Sequence, residues 1–419
     1  MMEINYPDKV VFFDVIRPPR RQAWWSLPII WAISIIVLKF FKVKIRKLNV
    51  ENLKPPYILL CNHMQFLDFM VSAIANFPYR INNIVSIDGF NISPFLLRAI
   101  GSVPKRKYNN DVSLIKNINY ILTDLQDIVG LYPEARYTFD GTNSILPASL
   151  GKLIKFAKYQ VVLLKFEGHH LQVPSWANKS RKVKLRSEMR PIFTPEEIGK
   201  YDVNEINAII NKEFQYNEYD YQKKHNILIK EKYRAEGLHK ILYKCQNCSE
   251  EFATDSKGAV FFCNKCSSSW ILEENGDLTC TTGDTKLRTI PEWYEWQRQE
   301  VRKEIESQQY AFSFSSQVYS MPHPKKFINL GIAGFTQDMG GIKVAGFYNG
   351  KPFSLERKAL DNYSIHVEYK FPYLKGKDIV SVSSNKDTLF FVPEESHKIQ
   401  KIALATEELY KFYKKKQKM

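Results

Sequence analysis

Cysteine is scarce in this sequence, and its distribution does not suit a disulfide framework. Only six of the 419 residues are cysteines, and four of these form two C-x-x-C pairs. The pattern excludes a small disulfide-stabilised domain and indicates a metal site in a reducing compartment. The length is enough for two or three packed domains.

A long uninterrupted hydrophobic run is also absent. The most apolar stretch, residues 23–38, is shorter than the roughly 20 residues of a spanning helix, contains Pro28 and is followed by Lys39. No signal-peptide pattern precedes it, and basic residues flank both ends. Three tryptophans suited to a membrane interface lie within it: Trp24, Trp25 and Trp31. The sequence favours an in-plane membrane anchor within residues 1–48, on the cytoplasmic face; a true span and a hairpin packed on the protein are the alternatives.

Acidic residues are too few to balance the basic ones. Asp and Glu number 44 against 60 Lys and Arg, which leaves a formal net charge of +16. An excess of this size favours an anionic partner, which can be a nucleic acid, a phospholipid surface or an acidic small molecule.

A histidine and a carboxylate follow the first buried strand that the sequence predicts. The apolar run Tyr57–Cys61 is typical of such a strand, and Phe66–Phe77 of the helix after it. His63 and Asp68 therefore lie at a strand-to-helix turn, where α/β folds place reactive groups. His63 can act as a general base, and Asp68 can set its tautomer and stabilise the imidazolium. A purely structural histidine–aspartate pair is the alternative.

Four short motifs follow one another between residues 50 and 190. They are N-H-x-x-x-x-D at 62–68, G-S-V-P-K-R at 101–106, L-Y-P-E-A-R at 131–136 and the hydrophobic run 161–168. In order and spacing they resemble the four blocks of the glycerolipid acyltransferases of the 1-acylglycerol-3-phosphate acyltransferase (lysophospholipid acyltransferase) type. The resemblance covers under half of the chain.

The chain departs from that family pattern in four places. Gln65 stands where the family usually has Ser, and Ala135 stands where it has Gly. In an ungapped match the family's Arg falls on Tyr137, so Arg136 is one place early. The fourth block lacks its usual proline.

The resemblance implies a role for each matching residue. His63 would take the proton from the acceptor hydroxyl, and Asp68 would orient His63. Arg106 would bind the acceptor's phosphate, since an Arg offers two donors in one plane; a solvated basic loop is the alternative there. Glu134 would order the loop of the third block. The predicted substrate-binding residues are Asn62, Lys105, Arg106, Glu134 and Arg136, and no catalytic cofactor is implied.

Strand and helix patterns alternate through residues 49–192, which predicts an α/β layer fold for this acyltransferase-type domain. Residues 193–243 begin with a capping box at Thr194–Glu197 and predict a helical connector.

Four of the six cysteines form the two C-x-x-C pairs, with fourteen residues between the first pair and the second. They are Cys245, Cys248, Cys263 and Cys266. The spacing resembles a zinc ribbon within residues 244–282. Four thiolates close a tetrahedron without an open position, so a structural zinc is predicted. Reduced structural cysteines and a redox pair are the alternatives.

Residues 283–419 predict a helix, a mostly antiparallel β domain and a C-terminal helix. The first helix is expected at Pro291–Ser307, a tight hairpin at Gly340–Gly341 and the last helix at about Glu394–Lys416. The pattern resembles a pleckstrin-homology or GRAM-like module, with a generic β domain as the alternative.

The combined prediction is a membrane-associated O-acyltransferase of phospholipid synthesis. The donor would be acyl-CoA or an acyl carrier protein, and the acceptor a lysophospholipid, by default 1-acylglycerol-3-phosphate, at an anionic membrane surface. One alternative is a basic zinc-ribbon protein that binds nucleic acid. The apolar stretch 23–38 and the even spread of charge argue against it, so no nucleic-acid partner is expected. The other is a non-catalytic lipid-binding protein on an acyltransferase fold, against which the presence of both His63 and Asp68 argues.

Overall fold

The computed structural model describes residues 2–4, 6, 10–109, 111–395 and 398–417. These residues form a mixed α/β structure with one mostly parallel sheet and two antiparallel sheets. The chain opens with the short strand β1 (Met2–Glu3) and the apolar helix α1 (Ser26–Phe40). The boundaries drawn above for the five segments of the chain stay predictions.

A seven-stranded sheet forms the first part of the fold. Its strands are β2 (Lys44–Lys47), β3 (Ile58–Cys61), β4 (Ile81–Ser86), β5 (Val103–Lys105), β6 (Ile128–Leu131), β7 (Val161–Glu167) and β8 (Arg186–Phe193). They lie in the order β2-β8-β7-β3-β6-β4-β5, and all neighbours are parallel except β7 and β8. Strand β3 lies at the centre and is buried along its whole length, which confirms the buried strand predicted there.

The helices of this part flank the sheet. They are α2 (Asp68–Ala75), α3 (Pro94–Ala99), α4 (Val112–Tyr120), α5 (Ser149–Ala157), α6 (His169–Gln172), α7 (Pro195–Lys200), α8 (Val203–Glu213) and α9 (Glu218–Lys224). The predicted capping box is confirmed, because the Thr194 hydroxyl accepts from the Glu197 amide and the Glu197 carboxylate accepts from the Thr194 amide.

The connector predicted to be helical through residue 243 is helical only as far as α9, apart from one short 3-10 turn at Leu238–Lys240. Its last residues, among them Ile241, Leu242 and Tyr243, are completely buried. Tertiary packing of these apolar side chains therefore replaces the predicted helix with a compact, irregular segment.

A four-stranded antiparallel sheet follows and carries the cysteines. Its strands are β9 (Thr254–Lys257), β10 (Val260–Cys263), β11 (Ser269–Leu272) and β12 (Leu278–Cys280). Helix α10 (Ile290–Glu306) packs against it through Trp293, whose ring centroid lies 5.0 Å from that of Phe261 and 4.8 Å from that of Trp270. The indole of Trp293 donates to the Lys244 carbonyl at 2.9 Å, and the Gln297 amide bonds both the Lys244 amide and the Ile241 carbonyl, so the helix and the ribbon form one unit.

The C-terminal sheet has eight antiparallel strands, including β1. The others are β13 (Ala311–His323), β14 (Lys326–Asp338), β15 (Gly341–Tyr348), β16 (Lys351–Lys358), β17 (His366–Phe371), β18 (Lys377–Ser383) and β19 (Thr388–Pro393). Their order is β1-β16-β15-β14-β13-β19-β18-β17, and helix α11 (Ile399–Lys416) closes the unit. The first part of the last predicted helix includes residues 396 and 397, which lie outside the described residues.

The predicted hairpin joins β14 to β15, where Asp338 pairs with Gly341. Gly341 has a φ of +121°, and a Cβ there would lie 2.1 Å from the Arg357 carbonyl oxygen. Only glycine fits this close approach of two backbones. The hairpin prediction is therefore confirmed.

Candidate active site

Three neighbouring parallel strands end side by side and place the candidate site. His63 lies two residues after β3, Glu134 three residues after β6 and His169 two residues after β7. The carboxyl ends of parallel strands meet at one edge of a sheet, which is where α/β folds bind ligands.

The carboxylate of Asp68 is completely buried and accepts four hydrogen bonds. Its Oδ2 accepts from Nδ1 of His63 at 3.1 Å and from the amides of Met64 and Gln65 at 2.7 and 3.0 Å. Its Oδ1 accepts from Nδ1 of His169 at 2.8 Å. Burial raises the pKa of Asp68, but the hydrogen bonds and charges of the two histidines outweigh burial and lower this pKa to about 2. The ionised carboxylate selects the Nδ1–H tautomer of His63 and leaves Nε2 as the basic nitrogen.

Aromatic rings surround the imidazole of His63. Its centroid lies 4.5 Å from the rings of Tyr132 and Tyr137 and 5.6 Å from that of Phe69. The side chain keeps 13% of its surface exposed. Tyr137 stands where the family pattern has Arg, and here it packs on the proposed base.

Asn62 joins the ends of two neighbouring strands. Its amide nitrogen donates to the Phe166 carbonyl at 3.1 Å, and its amide oxygen accepts from the Phe166 nitrogen at 2.8 Å. Asn62 is 1% exposed. Both polar ends of the predicted substrate-binding side chain are therefore occupied by backbone, and the residue holds the His63 loop to β7.

Glu134 ties three loops together under His63. Its carboxylate accepts from the His63 amide at 3.0 Å, from the Ser144 amide at 2.6 Å and from the Tyr216 hydroxyl at 3.1 Å. Burial raises the pKa of Glu134 to about 7, and the two backbone donors reduce the rise. These contacts join the loop of the third block to the loop of His63 and occupy the carboxylate with protein groups. The role of Glu134 in substrate binding stays a prediction.

The two basic residues of the second block contact protein groups. Arg106 is 3% exposed, and its guanidinium donates to Thr388 Oγ1 at 2.8 Å and the Pro322 carbonyl at 3.3 Å in the C-terminal sheet, and to the Lys386 carbonyl at 2.7 Å in the turn between β18 and β19. The ammonium of Lys105 donates to the Asn109 carbonyl at 3.0 Å. A phosphate contact by Arg106 stays a prediction, and it requires the C-terminal sheet to move.

Arg136 is buried and faces the C-terminal helix. Its Nη2 lies 2.8 Å from Oε1 of Glu407, and its guanidinium lies 4.1 Å from the Phe139 ring centroid. Glu407 also contacts Arg298 at 2.7 Å and Ser364 at 2.9 Å. Arg136 therefore holds α11 against the loop of the third block in the described structure.

His169 belongs to the site although the sequence analysis did not select it. The fourth block was treated only as a hydrophobic strand, and the signal at its end is the pair His169–His170 directly after Gly168. Polar residues at the end of a buried parallel strand lie at the same edge as those after β3, so the position could have been flagged.

The four predicted metal ligands come together at one end of the second sheet. The Sγ atoms of Cys245 and Cys266 are 3.7 Å apart, those of Cys248 and Cys263 are 3.8 Å apart, and all four lie within 4.8 Å of one another. A tetrahedral zinc with Zn–S bonds of about 2.3 Å requires S–S distances of about 3.8 Å. The site therefore fits a metal ion such as zinc.

Helix α1 exposes many apolar side chains. Its buried residues are Ser26, Leu27, Ser34 and Leu38, while Ile33, Ile36 and Phe40 are 49%, 68% and 78% exposed. Phe66 and Phe77, just before and just after α2, which contacts α1, are 59% and 51% exposed and add apolar surface there. Among the described residues, no helix combines the length and the apolar character needed to cross a membrane.

Comparisons with known proteins show a weak likeness to a solved structure. No protein-family model and no curated protein matches the chain. The crystal structure of the 1-acyl-sn-glycerophosphate (LPA) acyltransferase PlsC from Thermotoga maritima aligns with 46% of this chain and 82% of its own, at 14% identity and a TM-score of 0.35. A TM-score of this size carries no argument about either fold or activity.

Proposed function

We propose that this protein is a membrane-associated O-acyltransferase that moves a fatty acyl group from an acyl thioester to the hydroxyl of a lysophospholipid, with 1-acylglycerol-3-phosphate as the acceptor. The observation that carries the proposal is the contact of His63 with the buried, ionised carboxylate of Asp68 at the carboxyl ends of parallel strands. The four motifs of the sequence support the choice of reaction.

His63 acts as the base of the proposed reaction. Its Nε2 takes the proton of the acceptor hydroxyl while that oxygen attacks the thioester carbonyl carbon. The C–O bond forms, the C–S bond breaks, and the thiolate of the donor receives the proton from the imidazolium. Asp68 stabilises the imidazolium between these two proton transfers, and no covalent enzyme intermediate is needed.

The outward-facing apolar residues of α1 support a membrane surface as the working site. The exposed residues of α1 are apolar apart from Lys39, whereas a helix at the surface of a protein in water exposes mainly polar residues. An anionic bilayer would bury the apolar face of α1 and attract a protein whose net charge is +16. The free cysteines favour a reducing compartment and so the cytoplasmic face of that membrane.

The cysteine cluster has a structural role in this proposal. Its four thiolates would hold a zinc ion with no position left for a substrate, and α10 joins the ribbon to the rest of the protein. The metal would stabilise the ribbon and take no part in acyl transfer.

The test is acyl transfer to 1-acylglycerol-3-phosphate in detergent, with acyl-CoA and with acyl carrier protein as donors. His63→Ala should abolish transfer, while His225→Ala, a matched change of a partly exposed histidine outside the site, should not. Transfer by both variants at the wild-type rate would show that His63 is not the base.

A non-catalytic lipid-binding protein is the second candidate. The placement of Arg106 and Arg136 favours it, because both residues hold the C-terminal unit. Vesicle binding by folded, zinc-loaded protein without transfer to any lysophospholipid would support this candidate and exclude the enzyme.

A further inference from the structure

The buried carboxylate of Asp68 has a second histidine on its far side. Oδ2 accepts hydrogen bonds from His63 and two backbone amides, whereas Oδ1 accepts one from Nδ1 of His169 at 2.8 Å. The two imidazoles therefore sit on opposite oxygens of one carboxylate. His169 is completely buried, so a substrate does not reach it.

We propose that His169 is a positioning residue for the acyl transfer, which holds the Asp68 carboxylate in the plane that orients His63. The inference depends on the proposed function, since it assigns a role within that same site. It replaces a two-residue arrangement with a chain of three side chains, His63–Asp68–His169.

The hydrogen positions follow from the contacts. An ionised carboxylate only accepts, so Nδ1 of His169 must carry the hydrogen that it shares with Oδ1. Nε2 of His169 is buried and has no hydrogen-bond partner among the described residues. A hydrogen on Nε2 would be a buried, unsatisfied donor, so the geometry selects the Nδ1–H tautomer of His169.

The backbone around His169 holds the ring in place. Gly168 turns the chain with a φ of +81°, and its amide donates to the Glu218 carboxylate at 3.0 Å. The Phe166 ring lies 5.1 Å from the imidazole of His169. The two hydrogen bonds between the Asn62 side chain and the Phe166 backbone hold Phe166 beside the end of β3. The donor on Asp68 Oδ1 is therefore fixed relative to the loop that carries His63.

Substitution of His169 by Asn or by Gln distinguishes the roles of its two ring nitrogens. The amide nitrogen of Asn can occupy the place of Nδ1, whereas that of Gln reaches the place of Nε2. His169→Asn should keep the bond to Oδ1 and most of kcat. His169→Gln and His169→Leu should lower kcat about 10- to 100-fold, as expected for loss of one hydrogen bond to a charged group. KM should stay the same, because His169 does not touch the substrate.

A spectroscopic readout makes the test independent of activity. The ¹⁵N shifts of the His63 ring should report the Nδ1–H tautomer in the wild type and in His169→Asn, and a mixture of tautomers in His169→Gln and His169→Leu. In an Asp68→Asn background, His169→Leu should cause no further loss of kcat, because the carboxylate through which it acts is gone.

Three results would overturn the proposal: equal kcat in all three His169 variants, an Asn variant as impaired as the Leu variant, or losses of kcat with an unchanged His63 tautomer. If His169→Leu does not fold, the Asn and Gln pair still decides. If the wild type transfers no acyl group but the tautomer of His63 responds as described, the proposed reaction fails, while His169 still fixes the tautomer of His63 through Asp68.

Discussion

The buried carboxylate of Glu407 offers the sharpest test of how the C-terminal helix is held beside the candidate site. Glu407 is 2% exposed and lies between Arg136 and Arg298, at 2.8 and 2.7 Å. Burial raises the pKa of Glu407, but the charges of the two arginines outweigh burial and lower it from 4.5 to about 2. Glu407→Gln keeps the shape and removes the charge.

Two estimates of the folding free energy lost in Glu407→Gln agree. A pKa difference of about 2.5 corresponds to about 3 kcal/mol of folding free energy. Removal of one partner from a buried ion pair costs about 3–5 kcal/mol. Glu407→Gln should therefore lower the free energy of unfolding by about 3 kcal/mol at pH 7.

The pH dependence has a definite sign. The folded-state pKa of Glu407 is below its unfolded-state value, so this stability is present above about pH 4.5 and is lost as the pH falls toward 2. The difference in the free energy of unfolding between wild type and variant should be about 1 kcal/mol smaller at pH 4 than at pH 7.

The assay is urea unfolding followed by tryptophan fluorescence, to which Trp293 and Trp296 on α10 contribute. Glu306→Gln, an exposed change at the end of the same helix, is the control and should stay within about 0.5 kcal/mol of the wild type. A Glu407→Gln variant as stable as the control, or a gap that does not change with pH, would refute the reasoning.

Three further predictions concern other parts of the chain. Arg106→Lys should lower the free energy of unfolding by about 1–3 kcal/mol, because an ammonium cannot reproduce the forked contacts with the C-terminal sheet; unchanged stability with a raised KM for the acceptor would instead support phosphate binding. Purified protein should contain one zinc per chain by elemental analysis, and Cys248→Ser should lose it and melt at a lower temperature; a variant that keeps its zinc would contradict the site. Changing Ile33 and Ile36 together to Asp should weaken binding to anionic vesicles with little effect on folding, since both are exposed; unchanged sedimentation with vesicles would exclude α1 as the contact.

Three strands with a weak strand pattern in their sequences lie at or near sheet edges. Strands β2 and β5 are the two edges of the first sheet, and β16 has only the short β1 beyond it. Their sequences, KIRK, VPK and KPFSLERK, are rich in charge or contain proline. Edge strands carry such residues because one side of the backbone faces water, so the apolar alternation that predicts an inner strand is weak there.

The sequence by itself determined the elements whose partners are near in the chain. Asp68 accepts from amides three and four residues before it, and the capping box of α7 spans four residues. Each C-x-x-C pair likewise brings its own two ligands close together. Such contacts depend on local geometry, which a spacing of a few residues specifies.

Only the tertiary structure decided which distant groups the buried polar residues meet. His169 is 101 residues from Asp68, Glu407 is 271 from Arg136, and Lys386 is 280 from Arg106. A buried charged side chain needs a partner, but the residue type alone does not show which residue that partner is. The packing of the sheets and of α11 brings the partner within about 3 Å, and this placed two predicted substrate-binding arginines at an interface and put a second histidine on Asp68.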